Sequence, residues 1–428
     1  MPDGHTVVIG SGVVGAATAY YLAKQGNAVT LLEQGEIASG CSQGNAGQVT
    51  PGHLPLTQPG TMLRNLRWLF QSKSPLYVAP RMDPSLMRWL WQFQKSCNAP
   101  HLVKATKILC ELGQASAGLF DELVGDIGLR YQNNGRLEIC RSKKTLQAAC
   151  GEAELLRTCG FESRRLLGDQ VQQFEPAIQA EVAGAIYYPN SGYCNPHELV
   201  TQLALAAEAA GAKLLLNTSA TDLRKEQGRV VAVVTPQGEI PSDALVLACG
   251  AWAPRWAQQL GMRLPVQPGK GYHLDVGRPE KSPALPVVLV EERIFVTPLN
   301  GNLRLAGTME FSGFNLRQRP ARIEMLAAGA GRYLPGVLQA EERSRWCHLR
   351  PMTPDGLPII GRVPQVPNVW IATGHGMLGI TQGPITGKLL AEWIGQGKTS
   401  FDLAPLSPER FEKRLPASHD CKYCQQPQ

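Results

Sequence analysis

The stretch "HTVVIGSGVVGAATAYYLAKQGNAVTLLEQ", residues 5–34, decides the fold class. Thr6 to Ile9 form an apolar run of strand length, "GSGVVG" follows, and Val13 to Gln25 read as a helix that Gly26 ends. "AVTLLE" then reads as a second buried strand, so the segment is one complete βαβ unit. Its glycines allow a tight turn, close approach of the backbone to a pyrophosphate and tight packing of helix on strand, while the helix N-terminus faces the phosphates. Glu33 closes the second strand, 18 residues after Gly15, where an acid accepts hydrogen bonds from a ribose. No arginine follows it to favour a 2′-phosphate. The expected architecture is α/β, with a Rossmann-like dinucleotide-binding domain.

A second literal match, "GHGMLG" (Gly374 to Gly379), follows the strand "VWIA" and precedes the helix "ITQGPITGKLLAEWI". No second strand and no acid at the expected distance come after that helix, so the unit is never completed and a second dinucleotide is not expected. A glycine-rich helix start still offers NH groups and a positive dipole end to negative charge.

The 428-residue, 46.4 kDa chain exceeds one ordinary core, and two domains are expected. The helix, strands and closing strand within "NPHELVTQLALAAEAAGAKLLLNTSATDLRKEQGRVVAVVTPQGEIPSDALVLACGAWAP" extend the first sheet. Residues 1–60, 190–261 and 346–405 are therefore assigned to the nucleotide domain and 406–428 to a tail. Residues 61–189 and 262–345, richer in arginine, proline and aromatics, are assigned to an α+β substrate domain with a mixed or antiparallel sheet. There is no internal repeat.

A net charge of +7 without Lys/Arg blocks argues against nucleic acid as the partner. No signal-peptide pattern is present, and eleven cysteines scattered through apolar stretches suit reduced thiols, so an intracellular enzyme is expected. In the tail "SHDCKYC", Cys421, Cys424 and His419 fall short of a four-ligand zinc set; a frayed end is expected and no metal. "LRNLRWLF" and "SLMRWLWQF" interleave Trp89, Trp91 and Phe93 with arginines, as helices in a lipid interface do and as core-facing surface helices also do.

"HLRPMTPDGLPIIG", residues 348–361, places Arg350 in a stiff, mostly apolar connector. A guanidinium keeps its proton and its fork suits a carboxylate, either an internal acid or a ligand.

Together with the fingerprint, the loop "SGCSQGNAGQVTPG", the strand "LVLACGAWAP", the run "LRPMTPDGLPIIG" and the end "ATGHGMLGITQGPITGKLLAE" resemble, in order, the FAD-dependent amine and D-amino-acid oxidoreductases, and among them the D-amino-acid dehydrogenases. The resemblance implies that Gly10, Gly12, Val13, Val14, Gly15, Glu33 and Gln34 hold the ADP half of FAD, with Ala220 at the adenine and Cys41 and Ser42 at the pyrophosphate. Asn45, Ala46, Gly47 and Gln48 would line the flavin, Gly250 would join the cofactor set, and Gly376, Met377, Leu378, Gly379, Ile380 and Thr381 would meet the pyrimidine edge. Arg350 matches the arginine that pairs with the substrate carboxylate, which makes it both the catalytic and the substrate-binding candidate. Related oxidases share that carboxylate with a tyrosine where this chain has Phe295; Tyr272, His273, His53 and His375 are candidates to replace it. Some relatives attach flavin through a cysteine near this arginine. His348 stands there, beside Cys347, and non-covalent FAD is expected.

The implied reaction is oxidation of a D-amino acid by hydride transfer from its α-carbon to flavin, cyclic acids such as D-proline or D-hydroxyproline included, with a quinone or other acceptor taking the electrons. The alternatives are an oxygen-reducing glycine or sarcosine oxidase and a flavin subunit of a larger oxidoreductase. The expected location is the cytoplasm, with the inner face of the cell membrane as the alternative.

Overall fold

The computed structural model describes residues 4–61 and 74–411. The fingerprint segment forms strand His5–Ile9, helix Val13–Lys24 and strand Ala28–Leu32, at the centre of a six-stranded sheet. Strand Lys213–Leu215 lies outside Ala28–Leu32; Ala244–Leu247, Val369–Thr373 and Ile359–Arg362 follow on the other side, parallel except for the last. The Val13–Lys24 helix is buried from Val13 to Ala23, because helices Pro196–Ala209 and Gly379–Gln396 pack against it. Gly387 permits that approach, since a Cβ there would press on the Ala17 and Thr18 backbone.

A larger, mixed sheet forms the second layer. Near one edge of it, strand Gln267–Gly277 lies between the edge strand Glu342–Met352 and Asn302–Phe311. One face is covered by helix Pro320–Gly331, whose Ile323, Leu326 and Ala330 pack on Leu274, Val296 and Leu305. The other face carries His273, Trp346 and Arg350 in alternate positions, as period-two side chains require.

Two expected boundaries move. The break at 345/346 falls inside strand Glu342–Met352, whose residues pair with Gln267–Gly277, so Arg350 belongs to the large sheet. Helix Ala99–Ile127, expected in the substrate domain, buries Leu109, Leu112, Phe120 and Leu123 in the core of the nucleotide domain. The start of the expected tail is docked as well: Arg410 pairs with Asp355, Nε to Oδ2 at 2.8 Å. His419, Cys421 and Cys424 lie outside the described residues.

The aromatic stretch divides. Helix Pro84–Ser96 is capped by Asp83, whose carboxylate accepts from Ser85 and Leu86 NH groups, and it buries Leu86, Trp89 and Phe93. Trp89 packs with Phe93 and Phe311 and donates Nε1–H to the Met352 carbonyl at 2.9 Å, so Trp89 and Phe93 are core residues. Met87 and Trp91 are exposed on the opposite side. "LRNLRWLF" lies outside the described residues, and among those described no helix is long and apolar enough to cross a membrane.

Candidate active site

At the carboxyl end of the central strand the chain turns through Gly10, Ser11 and Gly12 into the helix. Gly10 has φ +103°, and a Cβ there would stand 2.7 Å from the Ala248 carbonyl oxygen. A Cβ on Gly15 would overlap the Gly10 carbonyl, which fixes glycine at the helix–strand contact. Glu33 is held by its own turn: Oε2 accepts from Ser11 N at 2.7 Å and Oε1 from Gly35 N at 3.1 Å. Ser42 Oγ accepts from Val13 N at 3.0 Å, tying the 41–48 loop to the helix start.

One elongated cavity runs along these groups. Gly10, Gly12, Val13, Val14, Glu33, Gln34, Cys41, Ser42, Asn45, Ala220, Gly250, His375, Gly376, Gly379 and Ile380 all line it. Ser11, Thr218, Ala248, Trp252 and His348 line it too, and the sequence reading did not place them in the cofactor set. Ser11 could have been found as the variable residue inside the glycine motif, and Trp252 lies in the quoted "ACGAWAP". Gly15, Ala46, Gly47, Gln48, Met377, Leu378 and Thr381 are not in the lining. Several of these build its wall: Asn45 Nδ2–H donates to the Met377 carbonyl at 3.2 Å, Thr381 Oγ1 accepts from Thr50 N at 3.0 Å, and Gln48 Nε2–H reaches Thr297 Oγ1 at 3.2 Å. A strand end, a helix N-terminus, an acid at the end of the next strand and a cavity that continues beyond them fit FAD. Gln48 Oε1 and His348 Nδ1 are buried without a partner among the described residues, leaving polar atoms for a bound group.

The 41–48 loop is clamped from the large sheet. Arg304 grips Asp275 with two bonds, Nε–Oδ1 at 2.8 Å and Nη2–Oδ2 at 2.9 Å, while Nη1 donates to both the Gln43 and Asn45 carbonyls at 2.9 Å. His273 Nδ1 meets the Gly44 carbonyl at 3.1 Å and its ring stacks on Trp346 at 5.2 Å. Gly44 rests on the Trp346 ring, which leaves no space for a Cβ. Replacing Arg304 by methionine leaves Asp275 buried without its partner and frees two loop carbonyls, so a loss of about 3 kcal/mol or more is expected. Thermal unfolding and FAD retention should both register it.

Arg350 sits deep in the molecule yet keeps accessible surface, as a side chain facing an internal recess does. Its Nη1 donates to the Thr308 carbonyl at 2.8 Å, and no carboxylate pairs with it among the described residues. Asp355, the nearby acid in sequence, is committed to Arg410. Burial works against the Arg350 charge.

The other substrate candidates separate. Tyr272 is fully buried on the opposite face of the sheet, where its hydroxyl donates to Glu310 Oε2 at 2.9 Å; alternation along its strand turns it away from Arg350. His375 gives Nε2 to Thr386 Oγ1 at 2.9 Å. His53 is held deep, and after burial the charge it feels is that of Arg136. Phe295 shares a register row with Ala306, His273 and Trp346, on the face of the sheet that carries Arg350, and has no hydroxyl to offer. Cys347 points to the other face, with Sγ on the Leu316 carbonyl at 3.1 Å, so His348 and not Cys347 borders the cavity.

The model of the FAD-dependent oxidoreductase family DAO matches residues 5–393. The chain belongs to that family. The D-amino acid dehydrogenase of Cereibacter sphaeroides (strain ATCC 17029 / ATH 2.4.9) is 34% identical over 414 residues, covering 95% of each chain. That of Agrobacterium fabrum is 32% identical over 416 residues, 95% of this chain and 99% of the relative. Among solved structures, glycine oxidase from Geobacillus kaustophilus superposes with a TM-score of 0.78 at 26% identity, covering 96% of this chain and all of that one. L-Proline dehydrogenase from P. horikoshii gives 0.75 at 21% identity, covering 96% and 98%, and shares the fold. The protein is thus an FAD-dependent oxidoreductase.

Burial pushes His53, His273, His348 and His375 each down to about 4 from 6.5; the Arg136 charge adds to this at His53 and Arg304 at His273. Neutral in the fold, all four take up protons once unfolded. Their contribution is therefore complete above about pH 6.5 and is lost as the pH falls toward 4. Between those limits each steepens the stability curve by at most about 1.4 kcal/mol per pH unit. Denaturant midpoints measured from pH 7 to 5 should fall steadily, and a flat profile would exclude buried neutral histidines.

Proposed function

We propose that the protein oxidatively deaminates D-amino acids as a dehydrogenase, passing electrons to a quinone or another acceptor in preference to oxygen. The observation that carries this reading is Arg350, a deep guanidinium with open surface and no carboxylate partner among the described residues, borne on a strand whose neighbouring residues His348, Leu349 and Pro351 line the cofactor cavity. The two dehydrogenase relatives, similar along nearly their whole length, support the substrate class.

FAD supplies the chemistry when bound, by accepting hydride from the substrate's α-carbon. The chain's residues do the rest. Arg350 takes the carboxylate on its fork and sets the α-hydrogen's direction, converting binding energy into orientation. Arg304, His273 and Trp346 hold the 43–45 segment, and Gln48 anchors its far end to Thr297, so the wall facing the substrate is rigid before binding. With Tyr272 and His375 engaged elsewhere, no dedicated general base is assigned; a neutral amine does not need one.

Exposed Met82, Met87 and Trp91, with Lys95 Nζ lying 3.5 Å over the Trp91 ring, form the surface we assign to contact with a lipid-held acceptor. The likeness to glycine oxidase carries the second reading, an oxidase that uses oxygen. The two are separated by offering a panel of D- and L-amino acids, cyclic ones included, and measuring dye reduction against hydrogen peroxide. Dye reduction with little peroxide and a preference for D-acids is expected. Stoichiometric peroxide would establish the oxidase, and preference for L-acids would remove the substrate assignment.

A further inference from the structure

Arg350 does not reach its position along its own strand. In the sheet register it stands opposite Gly269, and His348 stands opposite Gly271. Its guanidinium nevertheless lies over Gly271: a Cβ built there would overlap Arg350 Cζ, Nη1 and Nη2 together, all closer than the 3.0 Å that real Cβ contacts keep. The side chain therefore crosses the Gln267–Gly277 strand and donates to Thr308 on the next strand.

Two features make that crossing possible. Residue 271 has no side chain. Opposite it the pairing slips: Lys270 pairs with Glu310 and Tyr272 with Gly307, so Thr308 and Met309 together face Gly271. This is a β-bulge, and Thr308 has φ +58°, a conformation that threonine seldom takes. A bulged residue drops out of the regular ladder, which leaves its carbonyl for the guanidinium. Only one of the five guanidinium N–H donors is engaged among the described residues.

We propose that Gly271 is the positioning residue of the substrate-anion site: its bare Cα is the seat of the Arg350 guanidinium, and the Thr308 carbonyl freed by the bulge is the tether that sets its rotation. This rests on the reading of Arg350 as the carboxylate anchor. Any side chain at 271 lifts the fork from its seat, and displacement by about 1 Å costs roughly 100-fold in a positioned site.

The test is a double-mutant cycle in FAD-loaded protein, with Gly271→Ala, Arg350→Ala and the pair combined. Gly269→Ala is the control on the same strand and face, where a Cβ meets Met309 and Met352 instead. Propionate, which cannot be oxidised here, is titrated by its perturbation of the flavin spectrum, alongside KM and kcat for a D-amino acid. The expected result for Gly271→Ala is roughly 100-fold weaker propionate binding and a matching rise in KM at unchanged FAD content. In the Arg350→Ala background the same change should cost less than about twofold. Gly269→Ala should keep its preference for the acid over the decarboxylated amine. Equal losses with and without Arg350 would make Gly271 merely structural and overturn the proposal, as would unchanged propionate affinity in Gly271→Ala. If Arg350→Ala itself keeps propionate affinity, the anchor reading fails, a result distinct from a failure confined to Gly271. Should Gly271→Ala not fold, removal of the guanidinium must rescue it; a double variant that also fails to fold overturns the proposal.

Discussion

Arg350→Ala should lower kcat/KM for D-amino acids by roughly 30- to 5,000-fold while FAD stays bound, the range that corresponds to about 2 to 5 kcal/mol for one partner of a desolvated, hydrogen-bonded charge pair. The retention of FAD follows from placement: Arg350 is absent from the cavity lining, and its hydrogen-bond partner among the described residues, the Thr308 carbonyl, lies in the large sheet. Arg350→Lys should fall between wild type and alanine, because the ammonium keeps the charge but has no fork and no flat face to lie on Gly271. The loss should also be specific to acids. An amine lacking the carboxylate should be oxidised poorly by wild type and about equally poorly by Arg350→Ala, since the arginine has nothing to bind. Steady-state kinetics on a D-amino acid and its decarboxylated amine decide the matter. Loss of FAD or of folding in Arg350→Ala, with normal affinity for D-amino acids in whatever protein survives, would make Arg350 a structural residue.

How far this site could be read from the sequence depended on the range over which each feature is determined. The nucleotide end was legible because its signals are local: Gly10, Gly12 and Gly15 work within one turn, and Glu33 lies one helix and one strand away. Arg350 was legible by contrast, as a single cation in an apolar, proline-stiffened run. Arg304 gives the same signal in "NLRLAG" and was passed over, although it holds the 43–45 loop through two carbonyls. Tyr272 and His273 are neighbours in sequence and lie on opposite faces of one strand; only pairing with Glu342–Met352 shows which faces Arg350. The same pairing moved the domain boundary, because the strand that bears Arg350 finds its partner far back in the chain. Trp89 and Phe93 were ambiguous for another reason. One helix carries both its buried and its exposed aromatics, and the buried face is defined by Met309, Phe311 and Met352 on distant segments.

The glycines of the turn should respond in two distinct ways, and the difference separates cofactor contact from packing. Gly12 has ordinary extended backbone, φ −68° and ψ 177°, and a Cβ there meets only Ser42 Oγ at 3.2 Å. Gly12→Leu should therefore fold, but its side chain would project into the slot and hold the backbone away from the pyrophosphate; FAD affinity should fall by roughly 100-fold, about 2.7 kcal/mol. At Gly15 the first added carbon already overlaps the Gly10 carbonyl, a backbone atom that cannot move without opening the helix–strand contact. Gly15→Val should cost about 3 kcal/mol or more in stability, and FAD retention should fall with it. Flavin fluorescence released on denaturation gives the occupancy of each variant, and thermal unfolding with and without added FAD gives its stability. For Gly12→Leu the melting temperature of the FAD-free protein should match that of FAD-free wild type, and the same concentration of added FAD should raise it less than in wild type. For Gly15→Val the FAD-free protein itself should melt earlier. If Gly12→Leu instead kept full FAD while Gly15→Val remained as stable as wild type, the turn would bind nothing and the slot beside it could not be the flavin site.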